Sequence, residues 1–166
     1  MLSDFKWPEL SRWKGLPRNL TLATAREALD IPEGGWRSGG YLGEEPRALE
    51  WLNATSPSFP RAVRLWLSGD NVVMIDSDIL GRAEDLERLV AKLGRPAATL
   101  DSYFSNALMP KSEWVYPDIG LALFVEPENH NPLRIAVYPK TTLSDYRKNF
   151  RPIHRPSFKG LPNPNA

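Results

Sequence analysis

The chain has 166 residues, 42% of them apolar and 25% charged, enough for one good core or for two small units sharing one. It has no cysteine, which excludes disulfides, thiol catalysis and thiolate metal sites, and fits a reducing, cytoplasmic setting. The net charge of +1 is uneven: residues 1–139 carry 15 Lys/Arg against 19 Asp/Glu, and residues 140–166 carry 6 against 1.

The N-terminus has no basic stretch leading into an apolar run, so no signal peptide is expected. No apolar segment approaches the ~18 residues of a membrane span. Sixteen prolines punctuate short segments, the pattern of an α+β protein rather than a helical bundle.

Residues 1–19 hold Trp7 and Trp13 between Pro8, Gly15 and Pro17, and read as a cover for a core edge. A Lys-Gly-Leu-Pro string at 14–17 recurs at 159–162, each copy preceded by an aromatic, Trp13 or Phe158. Residues 19–32 predict the first helix. Thr21 is its N-cap, Leu22, Ala25 and Leu29 form its apolar face, and Pro32 is its stop. The glycine-rich stretch 33–43 has neither the Gly-Lys-Ser/Thr ending of a phosphate loop nor a Gly-x-Gly-x-x-Gly entry. It reads as a mobile loop displaying Trp36 and Tyr41 as contact residues.

Residues 46–53 read as a short helix. Alternation along 62–67, turn residues 68–71 and the apolar run 72–75 predict a hairpin. A second helix over 83–93 shows Leu86, Leu89, Val90 and Leu93 on one stripe, with acids in its first turn and Lys92 in its last. Residues 97–111 show no period and read as loop. Strands follow near 113–116, 119–126 and 133–138, then a helix 143–149 capped by Thr142. The tail 151–166, with four prolines, is expected to lie extended on the surface.

The fold expected is therefore α+β, built as two helix-plus-antiparallel-sheet halves with the helices packed on one sheet face. The first half (1–80) is a helix plus hairpin, and the second (81–150) a helix plus three strands. A basic Pro-rich tail (151–166) follows, and the whole is expected to form one compact unit. Each half has a helix ending in leucine, two residues, then proline: Leu29 to Pro32 and Leu93 to Pro96.

Leu93-Gly94-Arg95-Pro96, followed by Trp114-Val115-Tyr116 opening a small sheet, resembles the SmpA/OmlA family of outer-membrane assembly lipoproteins. It is also similar to the β-lactamase inhibitor proteins, which carry two such units. The resemblance implies helices on one face of a sheet, with the other face free to grip a protein. The lipidated cysteine and the disulfides of those families are absent here. By type, the layout also resembles the immunity proteins of bacterial toxin systems.

Side chains alternate across a strand. If Val63, Leu65, Leu67, Val115, Leu121, Leu123, Val125, Ile135 and Val137 face the helices, then Arg64, Trp66, Trp114, Tyr116, Phe124, Arg134 and Tyr138 face the other way. Aromatics with arginine are the composition of interface hot spots. This face is either a docking surface or a second core covered by the termini or the other half.

The function expected is protein binding, by an inhibitor or immunity protein that occludes a bacterial toxin or enzyme. No cofactor and no membrane partner are expected, and self-association is a further option. The rival is a small metal-dependent hydrolase using Asp76 and Asp78, carboxylates at a strand end. They equally suit capping of the next helix. His130, in a proline-bracketed turn, and His154, in the tail, have no nucleophile motif around them. Nucleic-acid binding through Arg147, Lys148, Arg151, Arg155 and Lys159, interleaved with Tyr146, Phe150 and Phe158, ranks third.

Overall fold

The computed structural model describes residues 2–42, 49–57, 59, 61–102 and 111–154, without the side chains of 40–42. Three helices pack against one antiparallel sheet: α1 Leu22–Ala28, α2 Ala83–Leu93 and α3 Leu143–Asp145. The strands are β1 Trp36–Leu42, β2 Leu49–Ala54, β3 Val63–Ser68, β4 Asn71–Asp78, β5 Ala98–Asp101, β6 Ser112–Tyr116, β7 Leu121–Val125 and β8 Pro132–Val137. Their order across the sheet is β1-β2-β3-β4-β8-β7-β6-β5. The hairpin and the three strands expected of separate halves are instead parts of one continuous eight-stranded sheet, joined where β4 pairs with β8.

Local sequence explains the helices. The Thr21 side chain accepts from the Thr24 backbone N–H, as an N-cap does, and Leu29 closes the last turn of α1. In α2 the Asp85 carboxylate accepts from the Arg82 backbone N–H, and Gly94 at φ 80 ends the helix.

Two segments differ from expectation. The glycine-rich stretch is strand β1, with a bulge between Ser38 and Gly40. Residues 46–53 are not a helix where described: 49–54 form β2, paired on both sides. Leu, Glu and Ala favour helix locally, but a half-buried strand position depends on its neighbours. Gly39 makes the pairing possible, because a Cβ there would lie 1.5 Å from Trp51 Nε1, so the indole occupies the missing side chain's place. Residues 98–101 likewise form β5, although the surrounding stretch reads as loop.

Both sheet faces carry a core. On the helix face, Leu65, Ile75, Leu121, Leu123, Ile135 and Val137 pack with Ala25, Leu29, Leu86 and Leu89 of the two helices. The N-terminal segment joins them through Leu2, Phe5, Leu10, Trp13 and Leu16. Phe5 stacks on Phe59 at 4.6 Å and meets Trp13 edge-on at 5.4 Å. The first Lys-Gly-Leu-Pro string crosses the end of β8, where the Leu16 N–H donates to Tyr138 O at 3.0 Å. Its second copy lies outside the described residues.

The opposite face holds Trp66, Met74, Val115, Ala122, Phe124, Ala136 and Tyr138, packed with Tyr146 and Ile153. The chain after β8 supplies this cover as α3, a single π-helical turn Tyr146–Phe150 and a 3-10 turn Arg151–His154. The expected extended tail is thus helical and partly buried over 151–154; residues 155–166 lie outside the described residues.

Strand β7 is buried at all five positions, so it has no solvent face. Small side chains make room for the cover: Ala122 and Ala136 lie opposite one another in the β7–β8 ladder. Among the described residues, no helix is long and apolar enough to cross a membrane.

Candidate functional site on the covered face

Register places the polar side chains of this face. Arg64 lies opposite Asp76 in the β3–β4 ladder, Asp78 opposite Arg134 in β4–β8, Arg134 opposite Phe124 in β7–β8, and Phe124 opposite Glu113 in β6–β7. The result is a belt across five strands, with ion pairs joining β3, β4 and β8, Phe124 on β7, and Glu113 of β6 paired with Arg151 beyond β8.

Asp76 is almost fully buried. Its carboxylate accepts from Trp66 Nε1 at 2.6 Å and from the Arg64 guanidinium. Asp78, with a side chain 52% exposed, accepts from Arg134 Nε at 2.7 Å and lies 3.7 Å from Arg64 Nη2. Partial burial raises the Asp78 pKa, but the charge and hydrogen bond of Arg134, with Arg64 and Lys111, hold it below the usual carboxylate value.

Glu113 has no exposure. It accepts from the Tyr146 hydroxyl and, at 3.3 Å, from Arg151 Nε. Burial raises its pKa against the opposing effects of Tyr146 and Arg151. Arg151 also donates through Nη2 to the Asp101 carbonyl.

His154 is fully buried, its ring 4.8 Å from Phe124 and edge-on to it. Burial, then the charges of Arg134, Arg64 and Arg151, push its pKa down to about 3. Tyr138 donates to the Leu121 carbonyl at 2.9 Å, and burial pushes its pKa up. Burial likewise raises Tyr146 well above its ordinary value.

The sequence-derived contact residues divide into three groups. Phe124 and Tyr138 have no exposure and Trp66 only 7%, so they form core beneath the cover rather than an open docking face. Trp114 and Tyr116 lie on the helix face, because register sets Trp114 beside Leu123 and Tyr116 beside Leu121, while Val115 faces the cover. Tyr116 there donates to the Gly94 carbonyl at the end of α2, and burial pushes its pKa to about 12. Arg64 and Arg134 do face away from the helices and keep part of their surface in solvent.

Of the loop candidates, Trp36 is half-buried against the helix-face core. The side chain of Tyr41 lies outside the described residues. Of the basic, aromatic tail cluster, Tyr146 and Phe150 turn inward onto Tyr138, and Arg151 faces Glu113. Arg155, Phe158 and Lys159 lie outside the described residues.

Sequence reasoning missed Glu113, Trp51 and the roles of Tyr146 and His154. The one local signal for Glu113 was a carboxylate in a strand between apolar neighbours. Trp51, half-buried, stacks beside Trp66 at 5.0 Å, where helix had been expected.

Among the described residues, no three His, Asp or Glu side chains stand close enough to hold a metal ion. Asp76, the inner member of the carboxylate pair, is engaged by Trp66 and Arg64. Two open depressions of about 390 Å³ lie elsewhere, one along 3–12 and one at the end of α1.

No protein-family model matches the chain, and comparison with curated proteins and with solved structures gives no match either. The likeness drawn through Leu93 to Pro96 and Trp114 to Tyr116 gains no support from them.

Proposed function

We propose that the protein works by binding another protein, as an inhibitor or immunity protein that occludes a toxin or enzyme. The observation that carries this reading is the open flank of the covered face. There the partly buried Trp51 ring sits on the same face as the Arg64–Asp78–Arg134 ion-pair ladder. Aromatic and arginine side chains, held in place by fixed partners, are the composition of interface hot spots. The docking residues proposed are thus Trp51, Arg64, Asp78 and Arg134, at the border of the face rather than at its centre.

The strand order supports one further reading. Among the described residues, each of α1 and α2 is followed by four strands, and each series runs inward from a sheet edge to the central β4–β8 pair. We read this as an internal duplication of a helix plus four strands, in place of the helix-plus-hairpin and helix-plus-three-strand halves expected from the leucine-to-proline helix ends.

The test is isolation of a stoichiometric complex from the source organism, followed by an assay of the partner's activity. Loss of that activity on complex formation supports an inhibitor. Trp51→Ala and Arg134→Ala, checked for a native near-ultraviolet spectrum, should each weaken binding more than about tenfold, as hot-spot truncations do. Unchanged binding in both variants would move the interface elsewhere.

A further inference from the structure

The cover over 143–154 is fixed at both ends by polar contacts. At its root, Arg18 donates to the Lys140 carbonyl at 3.0 Å, the Thr141 N–H donates to Pro117 O at 3.0 Å, and Thr142 caps α3. At its tip, Arg151 reaches Glu113 and Asp101, and His154 is sealed against Phe124. The cover contributes no strand to the sheet: β6, β7, β8 and β4 pair with one another without it. The helix-face core is also separate from the core beneath the cover. Lifting the cover therefore leaves a paired sheet with one intact core, the condition for local rather than global opening.

We propose that residues 143–154 form an acid-released strap latched by His154, whose departure bares the sheet face of Val115, Phe124 and Tyr138.

The surroundings of His154 supply the reason. Phe124 of β7 lies on one side, and Tyr146 of the strap itself is 6.4 Å away. Three guanidinium groups act on it: Arg64 of β3, Arg134 of β8 and Arg151 of the strap. The carboxylates in the same belt, Asp76, Asp78 and Glu113, are each already paired with one of these arginines. An imidazolium formed there would be a fourth cation, buried beside an aromatic ring. The proton is taken up far more easily with His154 in water.

The sign follows from the direction of the shift. The docked imidazole titrates below its ordinary value, so docking is at full strength above about pH 6.5 and weakens as pH falls through and below it. The opening equilibrium rises about fivefold between pH 6.5 and 5.5 and approaches about tenfold per pH unit below that. Glu113 acts oppositely. Its docked pKa is raised, so its own protonation favours docking as pH falls from that raised value towards 4.5. Asp78, held low, keeps its charge until below 3.8, and Tyr138 and Tyr146 stay neutral throughout. Wherever the docked Glu113 takes its proton it opposes the latch, so the acid response is read in Glu113→Gln beside the wild type.

The inference is independent of the binding reading above and is tested without a partner. Amide hydrogen exchange of the full chain is measured at pH 7.5, 6.5 and 5.5, with intrinsic exchange rates divided out. With Glu113 replaced by Gln, opening of 143–154 should rise about tenfold between pH 7.5 and 5.5, about fivefold of it below pH 6.5, while α2 and β7 remain protected. His154→Phe should keep the wild-type protection at pH 7.5 and lose the acid response. Strap opening in Glu113→Gln that does not depend on pH, or β7 opening in step with the strap, overturns the proposal. Should His154→Phe fail to fold, an NMR titration of the wild-type imidazole decides: ionisation at an ordinary 6.5 with the strap still protected overturns it equally.

Discussion

Tyr146 donates its hydroxyl hydrogen to Glu113, a carboxylate shut off from solvent, and so ties the chain after β8 to strand β6. A buried acceptor that loses a donor bears its desolvation penalty unrelieved. Tyr146→Phe keeps the ring, its packing on Tyr138 and the cover's shape, and removes the hydroxyl. Among the described residues Glu113 then retains Arg151 alone. A loss of about 1.5–3 kcal/mol is expected, the range for hydrogen bonds to charged groups, read from chemical denaturation. The double variant Tyr146→Phe/Glu113→Gln should be less destabilised than the sum of its parts, because the amide no longer buries a charge.

The two faces separate by mutation. Phe124→Ala empties a fully enclosed site and should cost about 3–5 kcal/mol, the range for large-to-small core changes. Tyr138→Phe removes only the bond to the Leu121 carbonyl and should cost about 0.5–1.5 kcal/mol. Trp51→Ala, at a ring only partly buried, should cost less than Phe124→Ala. Thermal or denaturant unfolding orders the three. A Phe124→Ala variant as stable as wild type would show that the face is not the core described.

The sequence carried the helix caps, the β3–β4 hairpin and the alternation of β3, β7 and β8, because each depends on neighbours within a few residues. It did not carry β1 and β2, whose pairing rests on a Gly39–Trp51 fit between strands. Nor did it carry the parity of β6: an aromatic reads the same on either face until Leu121 and Leu123 fix the register. The docking-face residues were legible as a set but not as surface. What covers Phe124 and Tyr138 comes from 143–154, and a short polar helix pattern does not reveal which face of a sheet it will close. Glu113 became a site residue only through Tyr146 and Arg151, 33 and 38 positions away.

Asp78 offers a direct measure of the exposed ion-pair ladder. Arg134, with Arg64 and Lys111, outweighs burial and lowers its pKa, so its contribution to stability is present above 3.8 and is lost as pH falls through its depressed folded value. In a carbon-detected NMR titration Asp78 should ionise below 3.8. In Arg134→Met, which keeps the stem and removes the charge, burial is opposed only by the more distant cations. The midpoint should then move upward. An unmoved midpoint would mean that Arg134 does not set the charge of this carboxylate.

Two glycines with the same backbone separate strain from contact. Gly69, at φ 60 in the β3–β4 turn, has open space where a Cβ would stand. Gly120, at φ 62 before β7, would place its Cβ 1.9 Å from the Tyr138 carbonyl oxygen, and that oxygen already accepts from the Leu16 N–H. Alanine at either position meets the left-handed backbone penalty of about 1–2 kcal/mol. At Gly69 that is the whole effect expected. At Gly120 the backbone of β8 must also shift, and with it the crossing of 14–17, since Gly15 packs against the same carbonyl. Gly120→Ala should therefore be destabilised by at least about 2 kcal/mol more than Gly69→Ala, a value in the range of overpacking into a filled site. Denaturant melts of the two variants under one buffer give the difference directly, because the conformational term is common to both. Equal losses would place the end of β8 farther from Gly120 than the Tyr138 N–H donation to the Gly120 carbonyl at 3.0 Å allows.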